Sequence, residues 1–401
     1  MAIYEYQGVT GQGQMIEGRI QAADINSARL QLQKQGYRIS KLKEGKIKGK
    51  KTRLKRGNPK LQDMVLVTRQ LAAVTKAGLP LIEGLSIISE QIENRRLKFA
   101  LDGVMDDIKS GEAFATALEK HPRVFDRFLV SMVRAGEASG MLDDVLAQVA
   151  DYLEKMNKLQ KKVKSALTYP AFVLAFAFAL IIFMGLKVIP QFVEMFQEMQ
   201  AELPLITRIT IGFSYILRNY GIILIILLII GVFFFKRILK TKRGRTIFDG
   251  TTLRIPKIGD LLKKVALAKF SRTLSTLLRS GVNIISAMEI VEKTTGNVLY
   301  EEAIRNARVS IQQGESIANT LHDREYFPIM IVKMIDIGER TGALESMLSK
   351  VSEFYEDEVD IAVENLTSLI EPMLIIFLGG AVGFIIVSIF FPMIRMIEEI
   401  S

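Results

Sequence analysis

The chain has 401 residues, enough for two or three folding units, and a formal net charge of +10 at pH 7. It has no Cys, no Trp and only two His, which excludes disulfide frameworks, cysteine-type zinc sites, iron–sulfur clusters and thiol catalysis. Ten bases lie between Lys41 and Lys60 against the single acid Glu44, so the positive charge is confined to one stretch. We therefore expect no nucleic-acid partner.

The first 42 residues are predicted to form a small α/β module. Apolar alternation indicates strands at 3–7, 15–21 and 37–42, and helical periodicity indicates a helix at 24–35. Asp24 suits the N-cap of that helix, and Gly36 suits its end. The first residues lack the basic and apolar regions of a secretory signal, so we expect the N-terminus in the cytoplasm.

Residues 43–59 are predicted to form a basic linker, too charged and too poor in apolar side chains to bury a core. Its candidate site residues are Lys46, Lys48, Lys50, Lys51, Arg53, Lys55 and Arg56. These bases could bind anionic membrane lipid at about 1 kcal/mol each, bind the acidic face of a partner, or simply be solvated.

Two later segments, 60–169 and 237–371, repeat one pattern. The recurring residues are Arg69, Gly78 and Gly111, which return 203 positions later as Arg272, Gly281 and Gly314, and Gly136, Gly140, Pro170 and Pro190, which return 202 positions later as Gly338, Gly342, Pro372 and Pro392. A repeat that holds its register in this way indicates two homologous domains. Breaks in the 3.6-residue periodicity predict about six helices in each copy.

Three segments, 170–190, 219–236 and 372–394, are predicted to span a membrane, which requires about 20 mostly apolar residues per helix. The second is the weakest because its uncharged stretch is short. Bases precede the first span and follow the second, which places both repeats in the cytoplasm. The loop 191–218 and the tail 395–401 are then periplasmic.

The expected fold is an all-α polytopic membrane protein with two homologous cytoplasmic helical-bundle domains, three transmembrane helices and the small N-terminal α/β module. Pro170 and Pro372 stand where the last helix of each repeat enters its span. Each is predicted to kink that helix at the membrane surface by removing one backbone hydrogen bond. The spans contain no relay of Asp, Glu or His, which argues against a transporter or channel.

The short segment that recurs most clearly in the two copies is a turn between two helices, 136–140 and 338–342, which we call the corner. Its candidate partner-binding or structural residues are Gly136, Glu137 and Gly140 in the first copy and Gly338, Glu339 and Gly342 in the second. A glycine is predicted to close one helix there, and Ser139 or Thr341 to be the N-cap of the next. Glu137 and Glu339 have no role in such a turn, so three alternatives stay open: an ion pair with a neighbouring arginine, a bound cation, or contact with a partner.

No catalytic constellation is visible in the sequence. The chain lacks a phosphate-binding G-x-x-x-x-G-K-[ST] run, and its N-terminal glycines fit a hairpin turn. His121 and His322 lie at corresponding corners, where cap or surface roles are expected. We predict that the chain is not an enzyme and has no catalytic residue, no metal site and no cofactor.

Several motifs together resemble one family. They are the duplicated Gly-Glu-x-x-Gly-x-Leu corner, Tyr169-Pro170 and Glu371-Pro372 at the membrane entries, the run Glu-Leu-Pro-Leu-Ile-Thr at 202–207, and the opening Tyr4-Glu5-Tyr6-Gln7-Gly8. With them the chain resembles, over almost its whole length, the inner-membrane platform proteins of type IV pili and type II secretion systems, the PilC and F protein family.

The resemblance implies a scaffold of the bacterial inner membrane that couples a cytoplasmic motor to filament assembly. The implied partners are a hexameric assembly ATPase, a retraction ATPase, pilins or pseudopilins, inner-membrane alignment-complex proteins, membrane lipid, and further copies of the chain in a homodimer or higher oligomer. A type IV pilus role is our first expectation. The equivalent F protein of a type II secretion system is the alternative, and a membrane transporter is the least favoured.

Overall fold

The computed structural model of the chain describes residues 2–9, 15–22, 24–34, 38–44, 57–188, 190–191, 205–322 and 326–400. It divides into two units, Met1–Gly57 and Asn58–Ser401. The seven candidate bases of the linker, Gly36 and the first part of the predicted outer loop, 192–204, lie outside the described residues.

The first unit is the predicted α/β module. Its elements are β1 (Ala2–Val9), β2 (Met15–Ala22), α1 (Ile25–Lys34) and β3 (Arg38–Glu44). The sheet order is β2-β1-β3, and both pairings are antiparallel. Asp24 is the N-cap of α1, as predicted, because its Oδ1 accepts the backbone N–H of Ser27 at 2.6 Å. Ala28 and Leu32 on α1 are fully buried.

The first repeat contains six helices, the number predicted. They are α2 (Leu61–Lys76), α3 (Leu81–Gln91), α4 (Arg95–Lys109), α5 (Phe114–Glu119), α6 (Arg127–Ser139) and α7 (Leu142–Phe183). Side-chain caps begin α4 and α6, since Asn94 accepts from two backbone N–H groups and Asp126 from one. Gly78 and Gly111 follow α2 and α4 with positive φ, a backbone conformation that favours glycine.

The second half of the chain contains the membrane-entering α8 (Leu205–Ile238), α9 (Lys242–Arg254) and a second set of six helices. That set is α10 (Ile258–Arg279), α11 (Ile284–Thr294), α12 (Val298–Gln312), α13 (Ile317–His322), α14 (Ile329–Thr341) and α15 (Leu344–Ile400). Helices α10 to α15 correspond in order to α2 to α7. The first repeat, described from residue 57 onward, begins at α2 and has no counterpart of α9 there.

Both repeats pack around the same core positions. On α7 and α15, Leu146 and its counterpart Leu348 are fully buried, and so are Val149 and Val351. Fully burying a side chain of this size contributes about 1.5–3 kcal/mol. The last helix of each repeat is therefore also the centre of that repeat's bundle.

The prediction of an outer loop at 191–218 is wrong for the second half of that segment. Residues 205–218 are helical and continue into the second span, so α8 has 34 residues and rises about 51 Å. The described part of this helix begins at Leu205. The loop was inferred from charge, and charge does not distinguish a loop from a helix that emerges from a membrane.

Among the described residues, three helical segments are long and apolar enough to cross a membrane: Leu142–Val188, Arg218–Ile238 and Leu344–Phe384. The first and third are parts of helices that run without interruption from a repeat into its span, through Pro170 and Pro372. The predicted bends at these prolines stay predictions. A π-helical turn ends the first span, and the predicted tail is helical to Ile400.

Candidate functional site: the glycine–glutamate corners and the junction between the repeats

In the first repeat the corner carboxylate of Glu137 caps another helix. Its Oε1 accepts the backbone N–H of Phe114 at 2.7 Å, and its Oε2 accepts that of Ala115 at 2.9 Å. These are the first two N–H groups of α5, which have no partner within the helix. The residue at the N-cap itself, Ala113, has no side-chain acceptor. Glu137 therefore supplies from α6 the cap that α5 lacks.

The second repeat has the same arrangement. The two carboxylate oxygens of Glu339 accept the backbone N–H groups of Ile317 and Ala318 at 2.6 Å and 3.0 Å. Among the described residues neither corner carboxylate forms an ion pair with an arginine. The negative charge instead lies at the positive end of a short helix, where the helix dipole favours it. The arginine alternative is thus replaced by a structural role that the sequence analysis did not consider.

The two glycines of each corner act in different ways. Gly136 and Gly338 lie within α6 and α14, where the next helix passes closely. A Cβ on Gly136 would lie 3.2 Å from Leu142 Cα, and one on Gly338 would lie 2.8 Å from Leu344 Cα. Gly140 ends α6 with a φ of +71°, and Gly342 ends α14 with +68°. The first glycine of each corner permits close packing, and the second permits the left-handed turn.

The prediction that Ser139 or Thr341 is an N-cap is wrong. Both residues are in the last turn of their helix, and their hydroxyls donate to the carbonyls of Ala135 and Ile337 four positions back. The helix ends at the following glycine, and the N–H of Met141 then bonds to Gly136 O at 3.0 Å. The N-cap of α7 is therefore Met141, two residues after Ser139.

A repeated arginine clamp ties the first and last helix of each bundle together. Arg69 on α2 bonds both Asp151 and Glu154 on α7, each at 2.7 Å. Arg272 on α10 bonds Glu356 on α15 at 2.8 Å. Glu154 and Glu356 stand 202 positions apart, so the repeat that reveals the two arginines also contains the signal for their partners.

The two repeats meet along α7, which packs on α10 and α15 of the second repeat. Among the described residues, four polar side-chain pairs cross this junction. They are Tyr152 Oη with Thr273 Oγ1 at 3.0 Å, Ser280 Oγ with Gln148 Oε1 at 2.9 Å, Arg127 with Glu289 at 2.8 Å, and Lys162 with Asp360. Phe128 stacks on Tyr152 with ring centroids 4.0 Å apart. Burial raises the pKa of Tyr152, so its hydroxyl stays protonated and available for the bond to Thr273.

A groove of about 910 Å³ opens at this junction. Its walls are mostly apolar side chains, among them Leu159, Val163 and Leu167 from α7 and Ile290 from α11. Lys269 on α10 also lines it, and burial lowers the pKa of this lysine. Among the described residues, no three His, Asp or Glu side chains form a group that could hold a metal ion.

Comparison with known proteins gives the family. The description "Type II secretion system (T2SS), protein F" matches residues 67–190 and 270–392, one match for each repeat, and its N-terminal domain matches residues 1–43. The chain is 42% identical to the type IV pilus assembly protein PilC of Thermus thermophilus, over all of both chains. It is 37% identical to PilC of Myxococcus xanthus, over all of this chain and 96% of that one.

Proteins of secretion systems are also among the relatives. The type II secretion system protein F of Xanthomonas campestris is 30% identical over all of both chains. The family descriptions match both repeats and the N-terminal module, and the relatives align over the full length of the chain. The chain therefore belongs to the type II secretion system protein F family, which includes the type IV pilus assembly proteins PilC.

Proposed function

We propose that the protein is the inner-membrane platform of a type IV pilus assembly machine and transmits movement from a cytoplasmic ATPase to pilins in the membrane. The relatives named PilC, at 42% and 37% identity over the whole chain, support a pilus role over a secretion role at 30%. Both repeats and the N-terminus lie in the cytoplasm in this proposal, and the chain acts by binding and not by catalysis.

One structural observation carries the mechanical part of the proposal. The helix α7 is at once the centre of the first bundle and the first candidate span, and α15 combines the same two roles in the second repeat. Their intramembrane portions meet where the rings of Phe178 and Phe377 lie 6.3 Å apart. A continuous helix therefore connects each bundle to a span, through Pro170 in α7 and Pro372 in α15.

The partners in this proposal are a hexameric assembly ATPase, a retraction ATPase, pilins, alignment-complex proteins, membrane lipid and further copies of the chain. The ATPases would contact the helical bundles, and the pilins would contact the spans. The cysteine-free sequence allows a direct test of the sidedness. A cysteine at Lys155 should react with a membrane-impermeant maleimide only after the inner membrane is opened. Labelling in intact spheroplasts would contradict the proposed topology.

The continuity of α7 gives a test of the transmission itself. Replacing Ser165, Ala166 and Leu167 by three glycines places a flexible joint just before the span, since each glycine costs the helix about 1 kcal/mol. Three alanines at the same positions keep the helix and form the matched control. We expect the glycine variant to insert in the membrane at normal levels and to assemble few pili, while the alanine variant assembles them normally. Normal piliation in the glycine variant would refute a rigid coupling through α7.

A type II secretion role is the second candidate, because relatives named protein F match the full chain. Deletion of the coding sequence separates the two roles. Loss of pili in electron micrographs with unchanged enzyme secretion supports the pilus platform, and the reverse result supports the secretion system. Solute flux in liposomes with neither defect would favour the transporter.

A further inference from the structure

The junction between the two repeats joins two different faces. The first repeat contributes a face of α6 and α7 that includes Arg127 and Leu159, which we call the donor face. The second repeat contributes a face of α10, α11 and α15 that includes Glu289 and Asp360, which we call the acceptor face. Because the repeats have equivalent helices, each carries both faces, and only one of each is used in the junction. The chain thus has a second donor face on α14 and α15 and a second acceptor face on α2, α3 and the part of α7 that corresponds to Asp360.

The unused donor face is apolar at the positions that the junction buries in the first repeat. The residue Leu159 is 5% exposed, and its counterpart Ile361 is 50% exposed. Likewise Tyr152 is buried, while its counterpart Phe354 is exposed. A large apolar side chain stabilises nothing when it faces solvent, but it does when it is buried in a contact such as that of Leu159 or Tyr152. Ile361 and Phe354 are therefore suited to a buried contact.

The unused acceptor face shows the same contrast. Ile290 on α11 is 6% exposed, and its counterpart Ile87 on α3 is 43% exposed. Leu66, also exposed, takes the place that Lys269 has in the second repeat. This face is therefore more apolar than the acceptor face already occupied, although it lies open to solvent.

The charges on the last helices are complementary in the same register. In the junction Lys162 of α7 pairs with Asp360 of α15. Shifting both positions by one repeat gives Glu364 in place of the lysine and Lys158 in place of the aspartate. Both counterparts are exposed, and neither has an ion-pair partner among the described residues. The pair is retained with its signs exchanged, so a second contact of this geometry would again join opposite charges.

We propose that the unused donor face of one copy docks on the unused acceptor face of a second copy, repeating between chains the contact that joins the repeats within a chain. Such a contact is head-to-tail and not two-fold, and it generates a closed ring or an open filament. Both repeats lead into the membrane through parallel helices, which confines successive copies to one plane and favours the ring. This assembly does not depend on the proposed function.

Cross-linking tests the proposal in membranes with the full-length chain, which has no cysteine of its own. Arg127 and Glu289 bridge the junction, and their counterparts on the unused faces are Ile329 and Ser86, both exposed. We use a short bismaleimide, because the Cα atoms of an arginine–glutamate pair lie further apart than a disulfide can span. I329C and S86C are placed on two differently tagged chains that are expressed together.

The proposal predicts a covalent dimer between the I329C chain and the S86C chain, and no dimer of either variant with itself. The double variant R127C/E289C should link within one chain and shows that the reagent reports the junction geometry. F99C, at an exposed apolar residue on α4, replaces S86C in the negative control. Dimers of I329C with itself would indicate a two-fold contact, and absence of any dimer while the control links would also overturn the proposal.

Charge exchange gives a second, milder test that preserves the fold. K158E and E364K each place like charges across the proposed contact, and each should lower the yield of the I329C–S86C dimer by up to about fivefold. Combining both changes restores an opposite pair and should return the yield toward its original value. A double variant no better than the poorer single variant would overturn the pairing. Because cross-linking requires neither an ATPase nor pilins, its failure and a failure of the platform role are distinguishable.

Discussion

The corner carboxylate of Glu137 should stabilise the first repeat by far more than an ordinary surface acid. The substitution Glu137→Ala removes the acceptors of two backbone N–H groups, those of Phe114 and Ala115, which are 2.7 Å and 2.9 Å from the carboxylate. Hydrogen bonds to a charged group contribute about 1.5–3 kcal/mol each, and the site is only partly buried, so water recovers some of the loss. We expect a destabilisation of about 2–3 kcal/mol. Glu137→Gln keeps one acceptor oxygen and should cost about half as much.

The measurement is thermal unfolding of the full-length protein in detergent, followed by far-UV circular dichroism because the chain has no Trp. A loss of 2–3 kcal/mol corresponds to a fall in Tm of about 5–10 °C for a unit the size of one repeat with its span. Glu119→Ala is the matched control, since its carboxylate pairs with Arg134 at the surface and should contribute about 1 kcal/mol or less. Glu339→Ala in the other repeat should cost as much as Glu137→Ala, and the two losses should add. If Glu137→Ala and Glu119→Ala unfold at the same temperature, the capping role is refuted.

Three further comparisons, which use five substitutions, test the packing of the repeats by the same unfolding measurement. Lys269→Leu installs the residue type that the first repeat has at this position; it should stabilise the protein at neutral pH by about 1 kcal/mol. Burial lowers the pKa of Lys269, because the charged form of the side chain destabilises the folded wild-type protein. This destabilisation fades as the pH rises through the lowered folded-state pKa toward 10.5, so the advantage of leucine should shrink there. Arg272→Ala should cost about 3 kcal/mol because this side chain is 8% exposed, whereas Arg69→Ala, at 43% exposure, should cost about 1 kcal/mol or less. In Gly338→Ala the new Cβ would lie 2.8 Å from the backbone of Leu344, and the substitution should lower the unfolding free energy by up to about 3 kcal/mol. Gly342→Ala has open space but a positive φ and should lower it by about 1 kcal/mol. Equal losses would contradict the assignment of close packing to Gly338 and of the left-handed turn to Gly342.

Local pattern was enough to predict the repeats, the three spans, six helices in each repeat and the N-terminal module. It failed where a side chain contacts a helix that is far away in the sequence. Glu137 meets a helix that begins 23 positions earlier, and no spacing within the corner reveals that contact. It failed again at 205–218, which the charges of the flanking segments assigned to an outer loop although these residues are helical.

The junction between the repeats lay beyond sequence reasoning for a different reason. A repeat predicts the same structure twice, so it predicts equal exposure for equivalent residues such as Leu159 and Ile361. The structure instead buries one and exposes the other. This asymmetry arises only when two equivalent units pack through non-equivalent faces, which is a property of their assembly and not of either sequence segment.

The corner and the long helix together suggest why an acid at 137 matters to a force-bearing protein even if no partner touches it. The carboxylate ties α5 to the last turn of α6, and Gly136 in that turn packs against Leu142 and Val145 at the start of α7. A continuous helix connects those residues to the first span. Loosening the corner would therefore soften the bundle at the point where α7 begins, and a soft bundle absorbs displacement that a stiff one passes on. A filament-assembly defect in Glu137→Ala consequently has a mechanical explanation. To assign this carboxylate a role in docking a partner, the defect must also appear in Glu137→Gln at temperatures where that variant is folded.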